Sequence, residues 1–319
     1  MTAVQEMTEV REITSGLRYP EGPVAMADGG VIVCELESAQ ITRVAPDGSH
    51  EVIAKPGGSP NGAQIGPDGK LYVANNGRAW DFREIGDILL TSQPPTNHEG
   101  GRIERIDLET GEVEVLYDSV DGRPLIAPDD LVFDDQGGFW FTDTGIRYER
   151  NADRTFLLYA KADGSEIRET IAGPLDAPNG VGLSPSQDRL YVSETFNAGM
   201  WAFDLIGPGE IKPQESLVNN NATFIVKLAG FTGFDSLAVE ADGNVCIATL
   251  GSGGITVVTP EGELVEFVQT GDILTSNIAF GGEDMRTAYI TAAATGKLLA
   301  AEWARPGLKL AYQQVGSSQ

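Results

Sequence analysis

Residues 128–143 read PDDLVFDDQGGFWFTD: a proline and two carboxylates, a short apolar run, a polar turn with Gly137 and Gly138, and a second apolar run closed by a threonine and an aspartate. Two apolar runs of strand length around a glycine turn predict a β-hairpin. The pattern recurs on both sides, as PEGPVAMADGGVIV from Pro20, PNGAQIGPDGKLYVAN from Pro60, PNGVGLSPSQDRLYVSE from Pro178, FDSLAVEADGNVCIAT from Phe234 and SNIAFGGEDMRTAYIT from Ser276. The polar residues that lead the six copies, at 21, 61, 129, 179, 235 and 277, are 40, 68, 50, 56 and 42 residues apart. Further strand candidates with turns of their own lie between them, among them AQITRVAPDGSHEVIA and GGITVVTPEGELVEFV, and bring each repeat to four strands. Repeats of this size and content predict an all-β chain in which residues 1–319 form a single six-bladed β-propeller of four-stranded antiparallel blades. A closed ring has to hide its terminal edges. VREITSG, near the N-terminus, is therefore expected to pair with the last repeat, with AAATGKLLAAEWARPGLKLAY supplying the other strands of that closure.

Composition narrows the partners. The 39 Gly and 17 Pro scattered over 319 residues argue against long helices. A net charge of −25 repels phosphate backbones and anionic membrane surfaces, so neither nucleic acid nor membrane is an expected partner. No apolar run approaches the roughly 20 residues of a spanning helix, and MTAVQEMTEVREIT lacks the profile of a secretory signal; a cytoplasmic location is expected. Cys34 and Cys246 each sit in an apolar stretch and read as buried reduced thiols. With His50 and His98 they match no familiar zinc spacing, so any metal must be held mainly by oxygen.

In a propeller the first strand of every blade lines the central channel, so the leading residues converge at one mouth. Here they are Glu21, Asn61, Asp129, Asn179, Asp235 and Asn277, each with a side-chain oxygen able to coordinate a cation. Taken singly, Pro-Asn-Gly and Pro-Glu-Gly also read as turns that lead into a strand. Taken together, three carboxylates within about 5 Å would repel by about 3 kcal/mol per pair at an effective dielectric near 20. Either a cation sits among them or one holds a proton. Oxygen donors without a nearby histidine favour Ca²⁺ ahead of Mg²⁺, Mn²⁺ or Zn²⁺. The loops between second and third strands border the same mouth. The longest, 75–101, carries Trp80, Phe82 and His98 and reads as a lid or specificity element.

The motifs YPEGPV, SPNGA, APDDLVFDDQGGFWFTD, APNGVGLSP, FDSLAVEADGN and SNIAFGGEDMRTAYIT occur in this order between Leu17 and Leu299. In them the chain resembles the senescence marker protein, gluconolactonase and luciferin-regenerating enzyme-like family, six-bladed propellers with one divalent metal in the channel. The resemblance implies metal binding by Glu21, Asn179 and Asp235. It puts Asp129 where the family carries a channel asparagine, Ala127 where sugar-lactone members often carry an arginine, and Ser236 where glycine is common. It also implies a metal-dependent lactonase, with a phosphotriester hydrolase of the diisopropyl fluorophosphatase type or a non-catalytic calcium- or ligand-binding propeller as alternatives. Asp235 is the first choice of catalytic base, Asp129 the second and Asp130 the third. Direct attack by the Asp235 carboxylate is a further route. Asn61, Asp129, Asp130 and Asn277 are expected to bind substrate. Ala127 together with Trp80, Phe82, Ile126, Ile146 and Tyr148 points to a substrate less polar than a sugar lactone. No G-x-S-x-G elbow is present, which argues against a serine hydrolase.

Overall fold

The computed structural model describes residues 8–171, 175–213, 221–230 and 232–314. The innermost strands are Pro20–Ala25, Pro60–Ile65, Pro128–Phe133, Pro178–Leu183, Gly233–Val239 and Thr275–Gly281. Each packs against the next, and the last packs against the first, so six antiparallel sheets close into a six-bladed β-propeller. The fourth blade carries an additional short strand, Glu210–Ile211. Among the described residues no helix is long and apolar enough to cross a membrane.

Closure joins the two ends of the chain. Val10–Ser15 pairs antiparallel with Lys297–Glu302 and becomes the outer strand of the sixth blade, as expected for VREITSG. The C-terminal stretch departs from expectation beyond Glu302, because it adds no further strand to that blade. Buried Glu240 accepts a hydrogen bond from Trp303 Nε1 at 2.6 Å and pairs with Arg305, which diverts the chain beneath the fifth blade. From there Leu308 N donates to Val239 O at 2.8 Å, Ala311 O accepts from Gln64 Nε2 at 3.2 Å, and Gln313 Nε2 donates to Phe280 O at 2.8 Å. These partners lie at the far ends of inner strands. The tail thus crosses the channel mouth opposite the leading polar residues.

The core lies between blades. One apolar cluster fills each of the six interfaces, for example Tyr72, Phe133 and Phe139 between the second and third blades and Trp140, Tyr159 and Phe203 between the third and fourth. Second strands are therefore covered on both faces and read as nearly continuous apolar runs, such as VIVC and FWF. Cys34 and Cys246 belong to these clusters as free, buried thiols, in line with expectation.

Three local devices set the leading residues at the axis. First, every inner strand breaks register at its start, between Glu21 and Val24 in the first blade and between Pro128 and Leu131 in the third. Such irregularities re-aim a side chain. Second, glycine follows Glu21, Asn61 and Asn179 because the neighbouring backbone is too close for a Cβ. One built at Gly62 would lie 2.6 Å from Asp130 Cα, and one at Gly180 would lie 2.7 Å from Ser236 Cα. Third, an acid or amide at the end of a second strand clamps the segment entering the first strand. Glu35 accepts from Arg18 N at 2.6 Å, Asn75 from Ser59 N at 2.9 Å, and Asp143 from Ile126 N and Ala127 N, both at 2.8 Å. Hydroxyls then join neighbouring blades at the same level: Thr142 Oγ1 donates to Asn179 O at 2.6 Å and Ser193 Oγ to Asp235 O at 2.5 Å.

Two substitutions test these devices. Gly62→Ala, at a position without positive φ, is expected to lower stability by about 1–3 kcal/mol through overpacking. Asp143→Ala strands buried backbone donors and should cost about 2 kcal/mol more than Asp143→Asn, which keeps an acceptor. Urea denaturation midpoints read both.

Candidate active site at the channel mouth

The six leading side chains occupy equivalent positions at one end of the channel, each only 3–7% exposed. They are not equivalently engaged. Asn277 Nδ2 donates to Glu21 Oε2 at 3.2 Å while its Oδ1 accepts from Ile278 N at 2.7 Å. Asn179 Nδ2 donates to Thr195 Oγ1 at 3.1 Å, and Ser236 Oγ donates to Asn179 Oδ1 at 3.4 Å. Asp130 accepts from Leu131 N at 2.9 Å and from Val181 N of the fourth blade at 3.4 Å, so it is tied into the channel wall. Asn61 Oδ1 and Asp129 Oδ1 are buried with no hydrogen-bond partner.

Electrostatics follow from burial. Desolvation pushes Glu21 up to about 7, against hydrogen bonds from Asn277 and Gly22 N and with the charge of Asp130. Asp130 rises to about 7, again through desolvation. Asp129 and Asp235 are driven well above the usual carboxylate range, by burial first and then by the charge of Glu21. None of the four forms an ion pair with a basic side chain among the described residues. This is a donor set for a hard cation: anionic and amide oxygens, unpartnered acceptors and no competing positive charge. Among the described residues, however, no three His, Cys, Asp and Glu side chains form a ligand group by themselves. The amide oxygens of the ring, Asn61 Oδ1 unpartnered and Asn179 Oδ1 accepting only from Ser236, could complete such a set. The histidines stand apart, His98 Nε2 on Ile126 O at 2.8 Å and His50 on Thr14 Oγ1 at 3.2 Å.

The 75–101 loop contains a hairpin, Asp81–Ile85 with Ile88–Ser92, that reaches over this mouth. Phe82 meets Tyr19 edge-on at 5.3 Å, Leu89 N donates to Ala294 O of the sixth blade at 2.8 Å, and Glu84 pairs with Arg18 at 2.8 Å. Tyr19 is buried beneath the hairpin, beside Thr91. Its phenol is raised by desolvation and then by the charges of Asp235 and Glu21. On the other side Gln93 bridges Ala79 O and Arg147 N, and Trp80 and Ile126 pack on buried Ala79, Ala127 and Ile146. Of the apolar residues singled out from sequence, only Tyr148 lies outside these groups; it is exposed and bonds Asp153.

Tyr19, the clamps Glu35, Asn75 and Asp143, and their fourth-blade counterpart Glu194, which accepts from Asp176 N at 2.5 Å, carry no role in the sequence reading. The signal was available: Tyr19 directly precedes the Pro-Glu-Gly motif, and each clamp is the polar residue that closes a second apolar run.

Residues 19–294 match the SMP-30/gluconolactonase/LRE-like region. A gluconolactonase of Zymomonas mobilis is 28% identical over 315 residues, covering 89% of this chain and 79% of that protein. The diisopropyl-fluorophosphatase of Loligo vulgaris is 25% identical and covers 93% of both chains. Among solved structures, a gluconolactonase of Xanthomonas campestris superimposes with a TM-score of 0.73 at 20% identity, over 92% of this chain and 89% of the other. A propeller that carries this match over most of its length belongs to the SMP-30/gluconolactonase/LRE-like family.

Proposed function

We propose that this protein is a divalent-cation-dependent hydrolase that opens a small lactone to the hydroxy acid, with Ca²⁺ as the cation and residues 1–319 forming one propeller domain around the site. The observation that carries the reading is four buried channel carboxylates without a basic partner, accompanied by amide oxygens. Glu21, Asn179 and Asp235 would hold the cation. When bound, it offsets the desolvated negative charge and acts as a Lewis acid toward an acyl oxygen.

The side chains supply the rest. Ionised Asp235 accepts a proton from water as the water oxygen bonds to the acyl carbon. The ring C–O bond then breaks and the proton passes to the departing alkoxide, so one water is consumed and one hydroxy acid is released. Asp129, with an unpartnered oxygen, is the second candidate base. Asn61 and Asp129, each with a side-chain oxygen that lacks a partner, would bind substrate around it, while Asp130 and Asn277, which the sequence also offered, stay engaged in the channel wall. The Zymomonas mobilis relative, a gluconolactonase, supports this reaction class. A second reading, hydrolysis of a fluorophosphate-type ester at the same site, is supported by the Loligo vulgaris relative.

Chelation is expected to abolish lactone opening and Ca²⁺ to restore it, followed by acid release; full activity after chelation would overturn the mechanism. Ca²⁺ should also raise the melting temperature through preferential binding to the folded chain, and Glu21→Gln should remove that rise. Asp235→Asn should lower kcat by about 100-fold or more with the circular dichroism spectrum unchanged. A parallel screen of fluorophosphate esters separates the two readings.

A further inference from the structure

The hairpin over the mouth is two-faced. Phe82 lies opposite Thr91, and Glu84 opposite Leu89, across its two strands. Cross-strand partners and alternate residues share a face, so Phe82, Glu84, Leu89 and Thr91 form one side. All four meet the propeller body: Phe82 and Thr91 at Tyr19, Leu89 at Ala294 and in the cluster with Tyr19 and Leu36, and Glu84 at the rim through Arg18. Arg83, Ile85 and Asp87 are exposed. Inward of the Glu84 pair, the side turned to the mouth is therefore apolar apart from one hydroxyl.

Beneath it lie the channel oxygens, 3–7% exposed. The hairpin stands over the same end of the channel, with Tyr19 beneath it close enough to feel the charges of Asp235 and Glu21. The outer ties are one exposed ion pair, of little strength, one backbone hydrogen bond, an aromatic edge contact and the apolar packing of Leu89 with Tyr19 and Leu36. Its base is held more firmly, by Asp81 to Thr96 N at 2.9 Å and by Gln93 to two partners. A molecule seated between the hairpin and the channel has oxygens on one side and Phe82, Leu89 and Tyr19 on the other. Hydroxyl groups turned toward these walls would lose their hydration without gaining partners. An anionic group would meet the field of the four carboxylates.

We propose that the hairpin 81–92 is the specificity element of this site, with Phe82, Leu89 and Tyr19 binding the substituent of a neutral lactone that carries an alkyl or aryl group. The inference rests on the lactonase reading and names its substrate class.

The test uses the Ca²⁺-loaded full chain with δ-valerolactone, δ-hexalactone, δ-octalactone, δ-decalactone and glucono-δ-lactone. Burial of each methylene predicts a rise in kcat/KM of about threefold over the first additions, mainly through KM, with glucono-δ-lactone below the alkyl members. Phe82→Ser and Leu89→Ser should each lower kcat/KM for the longer lactones at least tenfold and flatten the chain-length dependence, and Phe82→Leu should retain most of it. Melting curves confirm that the variants fold. Measurable turnover with no chain-length dependence, or with glucono-δ-lactone preferred, overturns this inference and leaves the lactonase reading intact. No turnover of any lactone overturns both.

Discussion

Carboxylates are stable where water or positive charge surrounds them, and the axis of this propeller offers Glu21, Asp129, Asp130 and Asp235 neither. They are buried, they raise one another's proton affinity, and none has a basic partner among the described residues. Such an arrangement persists only if protons or a cation offset the charge and if a stiff frame keeps the groups from turning outward. The chemistry proposed for the site depends on that frustrated charge. In that proposal a cation would relieve the charge, and a carboxylate freed of its proton would serve as the base.

The frame meets this requirement by repetition. Each blade supplies one leading residue, one register break and one short connection to its neighbour, so the precision of the site comes from six copies of the same local solution. Glycines at 22, 62 and 180 let adjacent backbones approach, and hydroxyls such as Thr142 and Ser193 hold the next blade's leading carbonyl. The apolar clusters between blades supply the bulk of the stability at a distance from the axis, which leaves the axis free to be polar. Closure by Val10–Ser15 removes the one place where the ring could open like a fan.

Two segments depart from the repeat, and they act at opposite ends of the channel. The tail, residues 303–314, spans the far mouth, pinned by Glu240 and Arg305. The hairpin 81–92 spans the near one. In the proposed function a substrate enters past Phe82 and Leu89, and selectivity then comes from an insertion into a single blade rather than from the repeat itself.

The sequence by itself determined the fold and the membership of the ring, because both are written locally. The hairpin pattern repeats six times, and a polar residue before an apolar strand of a propeller has only the axis to point to. It also determined that the cysteines are core residues, since each interrupts an apolar run. Only the tertiary structure decided which ring oxygens are free, because Asp130 is engaged by Val181 N of the next blade and Asn277 by Glu21 of the first, partners 51 and 256 residues away. It alone decided that Tyr19 sits under the hairpin, that Tyr148 is exposed beside Asp153, and that the tail leaves the sixth blade for the far mouth. Each of these rests on contacts between segments that share no periodicity, and no local pattern encodes a meeting of that kind.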